Sequence, residues 1–157
     1  EARIYGAEVD ARIAAGAWSS RLEGWTGRLA ASWTRGEDRV RDEPLNSIDP
    51  PRLVLGVRYD APSARWGSEL AMTAVEAQRE VDRSRADLYR TDGYATLDWL
   101  ANVSISSRLR LNVGLFNLAD AEYIEWADVR GRIEGDPLIP YYTRPGRNAS
   151  LALHWRF

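Results

Sequence analysis

The sequence contains no cysteine, no lysine and a single histidine, His154. Without cysteine there is no disulfide framework and no thiolate metal site. One histidine excludes a zinc centre built from several imidazoles within this chain. All 21 cationic residues are arginine, against 23 acidic residues and a net charge of -2, which argues against a basic nucleic-acid surface. The arginine-only usage reads as a coding bias. Long apolar runs are missing too. Hydrophobic residues make up 45% of the chain, yet no run approaches the roughly 18 residues of a membrane helix. A β-barrel needs no such run, so a strand-built membrane protein stays open. Glu1-Ala2-Arg3 does not read as a signal peptide. It leads directly into an alternating pattern, as in a chain cut from something longer.

What the sequence does have is strict alternation and an aromatic bias. Seven Trp and seven Tyr stand against two Phe, and Trp and Tyr are the aromatics that settle at membrane–water interfaces. The final stretch has Ala149, Leu151, Leu153, Trp155 and Phe157 on one parity, with Asn148, Ser150, Ala152, His154 and Arg156 on the other. Period two predicts a strand with one apolar and one polar face. The same period predicts strands over Ile4–Ala17, Thr26–Arg35, Leu53–Tyr59, Arg65–Gln78, Tyr94–Ser104 and Arg108–Leu118. Short turns are expected near 22–25, 60–64 and 105–107, and long, charged or Pro-containing loops at 36–51, 80–93 and 119–145. About seven strands of bilayer-crossing length, joined alternately by short and long connections, predict an all-β antiparallel meander from a transmembrane barrel. A soluble β-sandwich binding module is expected to mix its connection lengths between ends. That module and an outer-membrane barrel enzyme are the alternatives from other classes.

Four motifs carry a family resemblance. Asn117-Leu118-Ala119-Asp120-Ala121-Glu122-Tyr123 resembles the N-L-x-D-x-x-Y motif near the end of TonB-dependent outer-membrane receptors. Arg144-Pro145-Gly146-Arg147, followed by an alternating strand and Phe157, resembles their P-G-R…F ending. Tyr5-Gly6-Ala7-Glu8 is similar to their Y/F-G-x-E strand, and Tyr94-Ala95-Thr96-Leu97-Asp98 to their Y-x-x-x-D strand. Trp33 to Asp38, Pro44 to Pro50, Leu55 to Asp60 and Glu125 to Val129 resemble the haem/haemoglobin branch. The resemblance implies that residues 1–157 form the last third of a barrel of about 22 strands, with the plug domain and earlier strands outside this chain. It implies a bacterial outer-membrane receptor with long loops extracellular and the C-terminus periplasmic. The function it implies is active uptake of haem or haem-protein iron, a ferric-siderophore receptor being the alternative within the fold. Implied partners are outer-membrane lipid, the TonB energising protein, reached through the missing N-terminal region, the barrel-assembly machinery, and haem or a haem protein. No nucleic acid, catalysis or resident cofactor is implied; haem counts as cargo.

Candidate haem-binding residues are Tyr141, Tyr142 and His154, with Tyr89 as a further tyrosine, because Tyr and His are side chains that ligate haem iron. Each also has an ordinary reading: loop packing or interface for the tyrosines, a polar wall residue for His154. Glu37-Asp38, Asp42-Glu43 and Glu122/Glu125 are paired acids, but Arg35, Arg39 and Arg41 sit beside the first two, and no nucleophile–base pair accompanies them. Glu8, Asp10, Arg12, Arg28, Arg58, Glu69, Asp98 and Arg110 share the polar parity and are expected to face inward. Trp25, Tyr59, Trp66, Trp99, Trp155 and Phe157 share the apolar parity. By resemblance, Phe157 is the outer-membrane assembly signal.

Overall fold

Each stretch with a two-residue apolar period forms a strand. In the computed structural model, which describes residues 1–82, 84 and 87–157, the strands are β1 (Ala2–Ala14), β2 (Trp25–Asp38), β3 (Glu43–Pro44), β4 (Arg52–Asp60), β5 (Trp66–Val75), β6 (Tyr94–Ser104), β7 (Leu109–Phe116) and β8 (Asn148–Trp155). They form one antiparallel sheet in the order β1-β2-β4-β5-β6-β7-β8, with the two-residue β3 pairing on β2. Residues 83, 85 and 86, in the charged stretch Glu80–Gly93, lie outside the described residues.

The boundaries differ from the sequence expectation where the environment changes. The first strand stops at Ala14 rather than Ala17, because Ala15–Ala17 winds into a 3-10 turn toward β2. Ser19 caps the next turn, Ser20–Leu22, by accepting the Arg21 N–H. Gly24, at φ +87°, completes the reversal, where a side chain would collide with the Asp60 carbonyl. Strand β2 runs on to Asp38, inside the expected loop 36–51, pairing Glu37 with Arg3 and then folding back on β3. This extension carries charge instead of apolar alternation, so a period-two search ends too early. The long connection 119–145 contains a one-turn helix, α1 (Trp126–Val129), and a 3-10 turn, Ile139–Tyr142.

Pairing register sorts the residues into two faces. Along one row Val57, Leu70 and Trp99 are successive cross-strand partners, and Leu115 follows Trp99. Along another, Leu55 joins Leu29 and Met72, and Met72 joins Leu97. Leu111 meets Val103 and Leu153, and Val113 meets Leu151. The opposite face carries Arg12 beside Arg28, Arg58 beside Glu69, Asn102 beside Asn112, and Arg110 beside His154. There Arg58 binds Asp60 at 2.5 Å and reaches Glu69 at 3.5 Å, while Arg28 lies 3.6 Å from Asp10.

Among the described residues, no protein layer covers the apolar face. Leu151 is 73% exposed, Leu153 61% and Val57 53%. An apolar surface of this extent on a folded chain marks contact with a membrane or another protein. One polar group on this face is satisfied locally: the Trp99 indole N–H donates to Ser68 Oγ at 2.9 Å. At the short-turn end Trp25, Tyr59 and Trp66 form a row of ring contacts at 5.0 and 5.2 Å, and Tyr5 and Trp33 meet at 5.7 Å toward the other end. The buried apolar cluster lies instead among the long connections, where Val81, Leu88, Trp126 and Val129 pack together.

Candidate functional site

Strand β7 ends in a tight junction built on Asn117. Asn117 sits at φ 50° and Asp120 at φ 55°, left-handed conformations that Asn and Asp accept more readily than most residues. Asn117 is 3% exposed. Its backbone N–H donates to Asp98 Oδ1 at 2.8 Å, and its side-chain oxygen accepts the Ala121 N–H at 2.9 Å. Its amide nitrogen donates to the carbonyls of Ala121 and Pro145 at 2.8 and 3.3 Å. All the polar groups of this buried side chain are therefore matched. Asp120 accepts the Arg147 N–H at 2.7 Å. A Cβ on residue 146 would lie 2.6 Å from that carboxylate oxygen, so glycine is needed there for room. Leu118 donates its N–H to the Leu97 carbonyl, Tyr123 accepts the Arg144 N–H, and the Tyr123 ring stacks on Tyr94 with centroids 4.0 Å apart. Three of the four motifs, far apart in sequence, thus form one clasp that takes the chain out of β7 and returns it into β8. The fourth, on β1, lies away from it.

Beyond the clasp, the three long connections form one packed platform. The Trp126 indole donates to the Asn46 carbonyl, and Asn46 Oδ1 accepts the Asp82 N–H. Gln78 Nε2 donates to the Ile48 carbonyl, and Arg130 pairs with Asp49. Leu88 and Ile133 form an isolated bridge. Arg144 clamps the base of the third connection, reaching Glu125 at 3.1 Å and Asp128 at 2.8 Å. Tyr89, Ile124, Ile139 and Tyr142 pack against the buried cluster. Burial first, then the charges of Asp92 and Glu134, hold the Tyr89 phenol above its ordinary value. Burial and Glu125 likewise raise that of Tyr123.

The candidate haem ligands do not converge. Tyr141 is 82% exposed on the 3-10 turn. Tyr142, next to it, accepts a hydrogen bond from Arg132 at 2.5 Å and lies under that guanidinium. His154 stands at the far end of β8, opposite Arg110. Tyr89 is in the platform, packed rather than open. Phe157 lies exposed just past β8. Among the acids, Glu125 is bound to Arg144 and Asp38 caps the Val40 N–H. The platform core, Val81, Leu88, Trp126 and Val129, was not legible as a core: its members lie on segments without helical or strand period. Only the Trp in Glu125–Val129 marked the place.

Comparison with known proteins gives a consistent company. A family model described as TonB dependent receptor-like, beta-barrel, matches residues 1–118. The chain is 26% identical, over 99% of its length, to the probable hemoglobin and hemoglobin-haptoglobin-binding protein 4 of Haemophilus influenzae, and spans 18% of it. It is 29% identical over 75% of its length to lactoferrin-binding protein A of Neisseria meningitidis serogroup B, spanning 14% of that protein. Among solved structures, the copper transporter OprC superposes with a TM-score of 0.82 at 21% identity, covering 99% of this chain and 24% of that one. At that identity the likeness is one of fold.

Proposed function

The chain belongs to the TonB dependent receptor-like β-barrel family, and from that membership we propose that it is the closing part of the wall of a receptor importing iron as haem or from a haem protein. Members of the family are outer-membrane β-barrels. The relatives are binding proteins and a transporter; accordingly the chain is part of a receptor, not an enzyme, and haem is cargo rather than a resident cofactor. In this reading the apolar face meets lipid and the polar face lines the interior. The long connections face outward and Phe157 lies on the periplasmic side, as the assembly signal. A plug domain and the preceding wall strands occupy the rest of the polypeptide, and the plug region meets TonB.

The observation that carries the reading is the platform. Two connections at one end of the sheet share a buried cluster, Val81, Leu88, Trp126 and Val129, and the third is tied to them through Asn46, Ile48 and Asp49, which gives a pre-shaped surface suited to a folded protein ligand. The named partners of the relatives, haemoglobin, hemoglobin-haptoglobin and lactoferrin, favour an iron-carrying protein. Of the candidate haem-contacting residues, Tyr141 is the one whose exposure suits contact with incoming cargo. The motif residues Asn117, Leu118, Asp120, Tyr123, Pro145, Gly146 and Arg147 serve to hold the β7–β8 junction. The test is growth of an iron-starved strain lacking its own haem and siderophore receptors, expressing the whole reading frame. Growth on haemin or haemoglobin is expected. Growth on ferric siderophore alone would replace the haem reading with the siderophore one.

A further inference from the structure

Strand β4 starts late. Pro50 and Pro51 precede it, and a proline has no N–H with which to extend a ladder. Arg52, its first residue, pairs with Ser32 on one side and Val75 on the other, and the pairing stops there. Strand β2 runs on to Asp38. Between it and the segment that follows β5 lies a notch of about 190 Å³, with Ile48, Pro50 and Pro51 in its lining. Arg35 and Glu80 meet across it at 3.5 Å. Glu76 and Arg79 line it too, and neither has an ion-pair partner among the described residues. Gln78, only 5% exposed, is a further polar group there. Its Nε2 donates to the Ile48 carbonyl, and its Oε1 has no donor among the described residues.

The notch opens onto a groove of the apolar face. Val9, Ala31, Leu53 and Ala74 are successive cross-strand partners, and Ala7 partners Trp33 in the row nearer the long connections. The short alanine side chains beside Trp33 and Leu53 leave a groove of about 480 Å³. Trp33, Pro51 and Glu76 line both the groove and the notch, so the two are continuous. A second apolar groove on this face, of about 460 Å³ around Ala11 and Gly27, shares no lining residue with the notch. An apolar channel that ends in a polar site fits an amphiphile, with its chain in the channel and its head in the notch. Guanidinium and carboxylate groups both line that notch, so a head of one sign meets like charge as well as opposite. A head carrying a phosphate and an amine matches both, the phosphate at the arginines and the ammonium at Glu76 and Gln78 Oε1.

We propose that the groove and the notch together hold a single membrane lipid whose head carries a phosphate and an amine. Such a lipid stays with the protein when the lipid around the rest of the wall exchanges for detergent. The site presupposes that the apolar face meets lipid, the reading given above.

The test uses the full-length receptor, extracted from its own membranes in a mild detergent and washed exhaustively. Mass spectrometry then identifies and counts the lipid that remains. The unaltered receptor is expected to keep one lipid with both a phosphate and an amine in its head. Ala31→Leu and Ala74→Leu, which fill the groove, should each lose most of it. The double variant Glu76→Gln, Arg79→Gln, which takes the two unpaired charges from the notch, should lose it too. Ala11→Leu, in the second groove, should keep it. Gel mobility of unheated samples confirms that each variant is folded. No retained lipid, a retained lipid without an amine, equal retention in the groove-filling or charge-removing variants, or equal loss in Ala11→Leu overturns the proposal. The face itself is read separately. Residues 1–157 contain no cysteine, so Ala101→Cys, on the apolar face between Ser68 and Val113, takes a nitroxide label there once any cysteine elsewhere in the receptor is changed to serine. Relaxation by oxygen and not by a water-soluble agent is expected in membranes. That result without retained lipid sinks the bound-lipid site alone, whereas a label in water sinks the reading of the face and the site with it.

Discussion

Replacing Asn117 by aspartate keeps the side-chain shape and tolerates the left-handed backbone, but removes both amide donations, to Ala121 and Pro145. It also sets a second carboxylate near Asp98, which already accepts the Asn117 N–H. Two carbonyls lose a partner in a buried place, at a cost of about 2–4 kcal/mol. The Asn117→Asp receptor should therefore show a lower unfolding midpoint, followed by gel mobility of heated and unheated samples in detergent; an unchanged midpoint would mean that the clasp contributes little. Tyr89 gives a pH dependence at the same scale. Burial, then Asp92 and Glu134, raise its phenol above the usual 10.0, so the folded state holds its proton more tightly than the unfolded one. The stability linked to Tyr89 is complete below that usual value and is lost as pH rises through the raised one. Alkaline titration followed by phenolate absorbance should show a late-titrating group of tyrosines from which Tyr89→Phe removes one, with the platform loosening over the same range.

Strands are where the sequence was most readable. Lipid and interior impose opposite demands on alternate residues, so parity alone places Leu55 on one face and Thr73 on the other, as the registers of β4 and β5 have them. Leu55→Arg should cost about 2–4 kcal/mol, the range for a cation near the bilayer midplane on the lipid side, whereas Thr73→Arg should cost far less. Unfolding of the two variants in lipid vesicles makes the comparison, and equal costs would contradict the assigned faces. The connections were harder to read. The Trp126 indole finds its acceptor on Asn46, 80 positions away, and α1 is a single turn held by packing, so nothing local announces either. The clasp was legible as motifs, by resemblance, but the reason for each residue was not: that Gly146 must leave room for Asp120 appears only when the two connection ends are brought together. The haem-ligand candidates were chosen by residue type alone, and type says nothing of distance, which is why His154 and Tyr141 fall at opposite ends of β8.

As a whole the sheet is open, with β1 and β8 as its two edges. Both edges present unpaired backbone groups beside an uncovered apolar face, a combination that templates aggregation in water. Residues 1–157 expressed alone should need detergent to stay dispersed and should give no specific Soret shift with haemin. A soluble monomer that binds haemin at micromolar affinity or better would refute this and return attention to Tyr141. The placement of the buried cluster also bears on how such a chain changes over generations. Surface loops usually drift one at a time, each tolerating insertions without regard to its neighbours. Here Val81, Leu88, Trp126 and Val129 tie separate connections to one another, so a change of length or volume in one must be answered in the others. Val40 and Tyr141, both largely exposed, are free to vary under selection, while the four cluster residues are inherited as a set.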